Sequence, residues 1–311
     1  EQAVYKLDLG ADSLELYAMS IGNPHAVICV KDINQDFLGS VVPKEPLLSS
    51  KGIVLAMADG ISSSKVSQIA SETAVSGFLE DYYCTSDSWA VKTAVQKVIK
   101  SVNSWLYAQT RNSPYRFDKD KGYICTFSAL IFKSNTAHLF HCGDSRIYRV
   151  VGQSLEQLTQ DHRNVISAQS SYLTRALGFH NTLEMDYQSI AVSKGDVFVL
   201  ATDGLYEFVS NKLIAQSVQL SNDLNEAAQQ LVEEAIRAGS DDNLTIQIVR
   251  VESLPANEIP EVRQQIDMLP LPPQLTARMQ FDGFEIIRSL YIGSRSHVYL
   301  AKDQQSGEKV V

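Results

Sequence analysis

The sequence has little of what marks an exported, membrane-spanning or disulfide-stabilised protein. No apolar run approaches the ~20 residues that span a bilayer, and residues 1–10 lack the basic and apolar regions of a signal peptide. We therefore expect no membrane in this segment and a cytoplasmic protein. The cysteines form no C-x-x-C pair, so we expect buried, reduced thiols rather than a disulfide framework or a zinc site. They are Cys29, Cys84, Cys125 and Cys142.

The chain also lacks a basic block. Lysine and arginine total 27 against 36 aspartates and glutamates, a net charge of −9, which argues against nucleic acid as a partner. The excess acid has two interpretations, a solvated acidic surface or clustered carboxylates that a divalent cation would neutralise. Composition does not choose between them. With 44% hydrophobic residues over 311 positions, the chain is long enough for one large domain plus a fragment.

Hydrophobic patterns predict layers of helices on antiparallel sheets. Helical periodicity covers Ser64–Tyr83, Ser88–Arg111 and Leu224–Ala238. A regular βαβ alternation is absent, which argues against a doubly wound parallel sheet. Runs rich in β-branched and aromatic residues, bounded by Gly, Asp or Ser, predict strands. These runs are Ala26–Val30, Ile53–Ala58, Thr126–Phe132, Ala137–Cys142, Arg146–Val151, Val197–Ala201 and Leu244–Val251.

The character of the chain changes after Glu252. Residues 253–280 contain five prolines, which remove backbone donors and favour an extended linker. From Phe281 onward the pattern is strand-like again. We therefore predict a domain over residues 1–252, a Pro-rich linker over 253–280, and the first strands of a second domain over 281–311.

Five aspartates lie where predicted strands run into turns: Asp36, Asp59, Asp144, Asp203 and Asp242. Hard divalent cations prefer carboxylate, carbonyl and water oxygens. A glycine after an aspartate lets the main chain turn tightly, which can also bring a carbonyl to an ion. One Asp-Gly dipeptide is only a turn signal. Five such aspartates together favour a metal site.

The runs around these aspartates resemble the ordered signature of the metal-dependent type 2C serine/threonine protein phosphatase family. The resemblance covers about residues 15–251 and implies an α+β fold, a four-layer α/β/β/α sandwich with two central, mostly antiparallel sheets. It implies hydrolysis of phosphoserine and phosphothreonine in proteins by a water activated between two Mn²⁺ or Mg²⁺ ions. The runs are Asn34-Gln35-Asp36, Met57-Ala58-Asp59-Gly60, Cys142-Gly143-Asp144-Ser145-Arg146, Leu158-Thr159-Gln160-Asp161-His162, Leu200-Ala201-Thr202-Asp203-Gly204 and Asp242-Asn243-Leu244-Thr245.

The resemblance also implies a role for each metal-site residue. Asp59 would bridge both ions, and the Gly60 carbonyl would bind one of them. Asp144 would match a position that binds a third, weaker ion in bacterial-type members. The shell would be completed, partly through water, by Asp36, Asp203 and Asp242.

Two positions depart from the family pattern. Lys31 stands where the family usually has an arginine that grips the substrate phosphate, and lysine supplies charge without the planar fork. We expect Lys31 to contact the phosphate and to act in catalysis with Asp59 and Asp203; the alternative is a solvated lysine at a strand end. Ile61 replaces a methionine or histidine. Because isoleucine cannot donate a proton, we expect water to protonate the leaving group.

The other polar residues of these runs carry less chemistry. For His162, a structural hydrogen bond is favoured over catalysis. Arg146 and Arg175 suit ion pairs or loop orientation. Asp161 and Asp241 belong either to the outer part of the site or to solvated turns.

The segment from Phe281 resembles the first strands of a protein kinase domain with a degenerate glycine-rich loop. Of the three glycines only Gly293 remains, with Tyr291 and Ser296 at the other two positions; a simple β-hairpin is the alternative. The resemblance implies a bacterial bifunctional kinase–phosphatase whose tethered kinase is a candidate substrate. No kinase activity is expected from residues 281–311, which include neither the nucleotide-binding lysine nor the catalytic loop.

Two other functions suit the same residues. A pseudophosphatase acting as a regulatory or docking module would explain Lys31 and Ile61, although the retained aspartates oppose it. A small-molecule metal phosphoesterase shares the chemistry and differs only in the pocket. We expect phosphoproteins as substrates. We also expect the protein to be a monomer.

Overall fold

The computed structural model describes residues 2–8, 13–19, 25–28, 34–167, 170–254, 275–293 and 297–311. The chain divides into two compact units, Glu1–Ala256 and Asn257–Val311. Most of the predicted linker lies outside the described residues, so its conformation stays a prediction.

Two antiparallel sheets form the centre of the first unit. In the seven-stranded sheet the order is β1 (Gln2–Asp8), β2 (Ser13–Met19), β3 (His25–Ile28), β14 (Leu244–Arg250), β13 (Val197–Ala201), β8 (Arg146–Val151) and β9 (Ser154–Gln157). In the five-stranded sheet it is β12 (Asp186–Ala191), β7 (Thr136–Cys142), β6 (Phe127–Lys133), β5 (Ile53–Asp59) and β4 (Asp36–Val41). A separate hairpin pairs β10 (Arg163–Ser167) with β11 (Ser170–Leu173).

Helices cover the outer face of each sheet. Their bounds are α1 (Leu47–Lys51), α2 (Ser67–Tyr83), α3 (Val91–Asn112), α4 (Asp203–Tyr206), α5 (Asn211–Leu220) and α6 (Leu224–Arg237), with a 3₁₀ turn at Lys119–Lys121. Helices α2 and α3 pack on the five-stranded sheet, and α4, α5 and α6 pack on the seven-stranded sheet.

The alternation of side chains along each strand explains the layers. Successive residues of a strand point to opposite faces, so Val54, Ala56 and Ala58 of β5 pack against α2 and α3, while Leu55 and Met57 enter the core between the two sheets. Strand β13 repeats this on the other side, with Val199 and Ala201 towards the helices and Phe198 and Leu200 inward. The predicted four-layer sandwich with antiparallel sheets is confirmed.

Several boundaries differ from the prediction for local reasons. Helix α2 begins at Ser67 rather than Ser64, because the Ser64 hydroxyl lies within hydrogen-bonding distance of the Lys121 and Gly122 carbonyls, 3.0 and 2.8 Å away. Helix α5 was not predicted, although Ser210 supplies its N-cap by accepting a hydrogen bond from the Leu213 amide.

The cysteines follow the prediction only in part. Cys125 and Cys142 are buried free thiols, but Cys84 is exposed at the end of α2, so the expectation of burial was wrong for it. Cys29 lies outside the described residues. Within the described ranges, no helix combines the length and apolar character needed to cross a membrane.

The second unit contains a small antiparallel sheet. Its order is β15 (Gln280–Phe281), β16 (Phe284–Ile292), β17 (His297–Asp303) and β18 (Lys309–Val310). The strand-like pattern from Phe281 onward therefore forms strands, and the relation of this sheet to a kinase domain stays a prediction.

Candidate active site

The predicted aspartates meet at one end of the two sheets. Asp59 ends β5 and Asp36 begins β4, and the two pair directly in the antiparallel register, which brings their Cβ atoms to about 4.5–5.5 Å. Asp203 lies two residues after the end of β13, and Asp242 lies two residues before the start of β14. Since β13 and β14 are antiparallel neighbours, the end of one lies beside the start of the other.

Two threonine hydroxyls connect the sheets at this end. Thr202 and Thr245 both donate to Oδ2 of Asp36, at 3.0 and 2.6 Å, and the Thr202 amide also donates to the Thr245 carbonyl at 3.1 Å. The other oxygen of Asp36, Oδ1, is buried and has no hydrogen-bond partner among the described residues. A buried acceptor without a donor requires an explanation. A cation bound beside Oδ1 would provide that explanation.

Asp144 lies in the loop that crosses from β7 to β8. Its side chain is buried, and Gly143 beside it has a φ of 125°, in the left-handed region that glycine tolerates. The Gly143 amide donates to Nδ1 of His162 at 3.1 Å, and Nε2 of His162 lies 2.9 Å from Asp186. His162 therefore has a hydrogen-bonding role in holding this loop.

Burial and crowding raise the pKa values of four of these carboxyl groups, those of Asp36, Asp59, Asp144 and Asp203. Removal from water raises the pKa of Asp36, and removal from water together with the charges of Asp36 and Asp203 raises the pKa of Asp59 well above its usual range. Removal from water and the nearby Asp144 raise the pKa of Asp203 to about 7. Burial raises the pKa of Asp144 to about 6, although Arg163 opposes the shift. The site therefore favours either protons or a cation.

The donors form an open site rather than a closed cage. Among the described residues, no three His, Cys, Asp or Glu side chains are placed so that they alone could hold a metal ion. The unpaired Asp36 oxygen and the raised carboxyl pKa values nevertheless indicate a place for positive charge. Mg²⁺ keeps several waters and uses few protein ligands, so a partial protein shell completed by water and the Gly60 carbonyl fits this donor set.

Other sequence-predicted residues lie around the aspartates. The Ile61 carbonyl accepts a hydrogen bond from Nε2 of Gln35 at 3.2 Å, and its amide donates to the Ile124 carbonyl at 3.4 Å, so its backbone anchors the loop after Gly60. Arg146 forms a two-pronged ion pair with Asp161, with contacts of 2.7 and 2.9 Å. Lys31 lies outside the described residues.

Sequence reasoning missed the partners of two of these aspartates. Thr202 and Thr245 stand inside recognised runs, but a run of residues does not show that both hydroxyls reach Asp36. Arg163, which follows His162, contacts Asp144 at 3.8 Å and carried no motif signal.

Replacing Gly204 with alanine is expected to lower the free energy of unfolding by about 1–3 kcal/mol. A Cβ at Gly204 would lie 2.2 Å from the Asn243 carbonyl oxygen and 3.3 Å from Cβ of Asp242, so the loop that carries Asp242 must move. Urea unfolding measures the change. The control is Gly77→Ala in α2, where the nearest atom would be 3.9 Å away. Equal destabilisation of both variants would contradict this account.

Comparisons with known proteins agree with the geometry. The family model described as protein phosphatase 2C matches residues 27–248. Protein phosphatase PhpP of Streptococcus pneumoniae is 27% identical over 237 residues, covering 70% of this chain and 91% of its own length. The serine/threonine protein phosphatase PstP of Mycobacterium tuberculosis is 29% identical over 215 residues, 64% of this chain and 40% of its own length.

Solved structures share the fold. The M. tuberculosis serine/threonine phosphatase PstP/Ppp aligns with a TM-score of 0.61 at 22% identity, covering 81% of this chain and 99% of that one. The S. agalactiae serine/threonine phosphatase aligns with a TM-score of 0.63 at 24% identity, covering 81% and 100%. The chain therefore belongs to the protein phosphatase 2C family, in which protein phosphatase activity and dependence on divalent metal ions are general.

Proposed function

We propose that this chain hydrolyses phosphoserine and phosphothreonine in proteins with two Mn²⁺ or Mg²⁺ ions held by one set of residues. That set is Asp36, Asp59, Gly60, Asp203 and Asp242. The main support is the pairing of Asp36 with Asp59 across β4 and β5, together with one buried Asp36 oxygen that has no hydrogen-bond partner in the described part of the chain. The names of the relatives, serine/threonine phosphatases, support this substrate class.

The residues of the chain position the metal ligands. Thr202 and Thr245 hold Asp36 in one orientation, and Oδ1 of Asn243 accepts a hydrogen bond from the Gln35 amide at 3.0 Å, which ties the loop of Asp242 to that of Asp36. The Gly60 amide donates to the Gln35 carbonyl at 3.1 Å. When bound, the two ions would lower the pKa of a water and align it for in-line attack on phosphorus.

An activity assay tests this function against its two rivals. Purified protein would be given p-nitrophenyl phosphate or a phosphothreonine peptide with Mn²⁺, with and without a chelator. We expect metal-dependent release of phosphate from both substrates. Release of phosphate from the aryl ester alone would favour a small-molecule phosphoesterase. The absence of metal-dependent release from both substrates would favour a pseudophosphatase.

Lys31 is proposed to bind the substrate phosphate. Replacing Lys31 with alanine is expected to raise KM for a phosphothreonine peptide about tenfold with a smaller change in kcat, since the charge acts mainly in substrate binding. Lys31→Arg is the matched control and should keep KM at or below the parent value, because the guanidinium binds phosphate through two hydrogen bonds. An unchanged KM in Lys31→Ala would instead identify Lys31 as a solvated lysine.

We also propose that the phosphatase is part of a bifunctional kinase–phosphatase and acts on its own tethered kinase. The support is the degenerate glycine-rich run around Gly293 and the antiparallel strands β16 and β17 on either side of it. The gene sequence downstream of Val311 tests the proposal: a kinase catalytic loop and a metal-binding D-F-G would support it, and a stop codon would refute it. The cytoplasm and the monomeric state stay predictions.

A further inference from the structure

Arg163 brings a fixed positive charge to Asp144. It is the first residue of β10, directly after His162. Its guanidinium contacts Oε1 of Glu207 at 2.6 Å and Oδ2 of Asp144 at 3.8 Å. A third carboxylate oxygen, Oδ2 of Asp161, lies 4.0 Å from its Nε. Arg163 is therefore held among three acidic side chains at the edge of the proposed metal centre.

Arg163 is contacted from two sides, by Asp144 and by Glu207. Its side chain is 20% exposed, and that of Asp144 is 11% exposed, so water screens their attraction only in part. Glu207 follows α4, and its amide donates to the Asp203 carbonyl at 3.1 Å. Arg163 thus connects the Asp144 loop to the helix that begins with Asp203.

Two neighbouring arginines have other partners. Arg146 is paired with Asp161 at 2.7 Å, and its guanidinium carbon lies 3.8 Å from the centre of the Tyr206 ring. Arg175 is paired with Asp186 at 2.7 Å. Among the described residues, Arg163 is therefore the arginine that contacts Asp144.

We propose that Arg163 is a built-in competitor for cation binding at Asp144, so that a third divalent ion binds there only when the guanidinium moves away. The inference rests on the proposed metal centre and concerns the weaker third ion alone. A unit charge near 4 Å opposes a divalent cation strongly in a partly desolvated site. The short contact with Glu207 offers Arg163 a second anchor when it leaves Asp144.

The test is a Mn²⁺ binding titration followed by electron paramagnetic resonance of the free ion, which does not depend on activity. In Arg163→Gln the dissociation constant of the weakest Mn²⁺ site is expected to fall about tenfold or more, because the opposing charge is gone. Arg163→Lys keeps a charge on a shorter, unforked side chain, and we expect a fall of about threefold. Arg149→Gln is the matched control, since it removes an Arg–Asp pair of 2.8 Å with Asp196 elsewhere on the sheet.

Each outcome of the titration decides between alternatives. Adding Asp144→Asn to Arg163→Gln should abolish the gain in affinity. An unchanged weakest site in Arg163→Gln, or a gain that persists without Asp144, would overturn the inference while leaving the two-ion centre standing. If no variant binds Mn²⁺, both the proposed centre and this inference fail. Circular dichroism checks folding, and Arg163→Lys serves as the test if the glutamine variant does not fold.

Discussion

Replacing Asp59 with alanine is expected to lower kcat/KM for a phosphothreonine peptide by at least about a thousandfold, the scale on which charge-stabilising catalytic groups act. Asp59 ends β5 opposite Asp36 and is the residue proposed to touch both ions. Without Asp59 neither of the proposed ions would be held in place, and the attacking water would lose its activation. Initial rates at saturating Mn²⁺ measure the effect.

Folding and catalysis can be separated in this variant. Removal from water and neighbouring carboxylates raise the pKa of Asp59 well above its usual range, which shows that its ionised form is unfavourable in the metal-free protein. Asp59→Ala should therefore melt no lower than the parent in the presence of a chelator. Asp81→Ala, at an exposed position of α2, is the control and should keep full activity. An Asp59→Ala protein with near-parental kcat/KM would contradict the assigned role.

Removal of the metal is expected to have the second large effect, on both activity and Tm. The effect on Tm should depend on pH. A chelator is expected to abolish phosphatase activity, and the gain in Tm on adding Mn²⁺ should grow by about 5 °C or more between pH 5 and pH 7.5. The reason is the competition between protons and cations for the same carboxylates. Differential scanning fluorimetry with Mn²⁺ or chelator at each pH measures the gain.

The sign of the pH effect follows from Asp203. Its pKa is raised from the ordinary 3.8 to about 7, first by removal from water and then by Asp144, so the folded metal-free protein binds more protons than the unfolded chain between these values. Stability of the metal-free protein therefore falls as pH rises through this range. Bound Mn²⁺ would take the place of those protons and offset the lost stability. In Asp203→Asn the rise in Tm on adding Mn²⁺ should depend less on pH. A rise in Tm that does not change with pH in the parent protein would contradict this explanation.

The strand ends that carry the site could be predicted because the local pattern and the fold agree. Strands β5 and β13 are short continuous apolar runs, and each is followed within two residues or ended by an aspartate that precedes a glycine. The packed structure agrees with this local pattern because both faces of the strand are buried. Helical periodicity likewise predicted the long helices α2, α3 and α6 to within a few residues.

The partners of the aspartates could not be predicted, since they depend on how distant segments pack. Thr202 and Thr245 lie 166 and 209 positions from Asp36 along the chain, and no local pattern links them. Arg163 reaches Asp144 because the hairpin of β10 and β11 follows the His162 turn, and its charge alone carries no directional signal. Short, exposed strands such as β9 also lack the apolar alternation on which strand prediction depends.

Asp59 and the aspartates around it are proposed to hold two catalytic divalent ions. Anomalous diffraction from crystals grown with Mn²⁺ tests this proposal most directly, because each ion is located by its own scattering. We expect two strong peaks, both beside the Asp59 carboxylate, with Asp36, Asp203 and Asp242 around them. Peaks confined to surface carboxylates, or no peak at Asp59 in an active crystal, would contradict it.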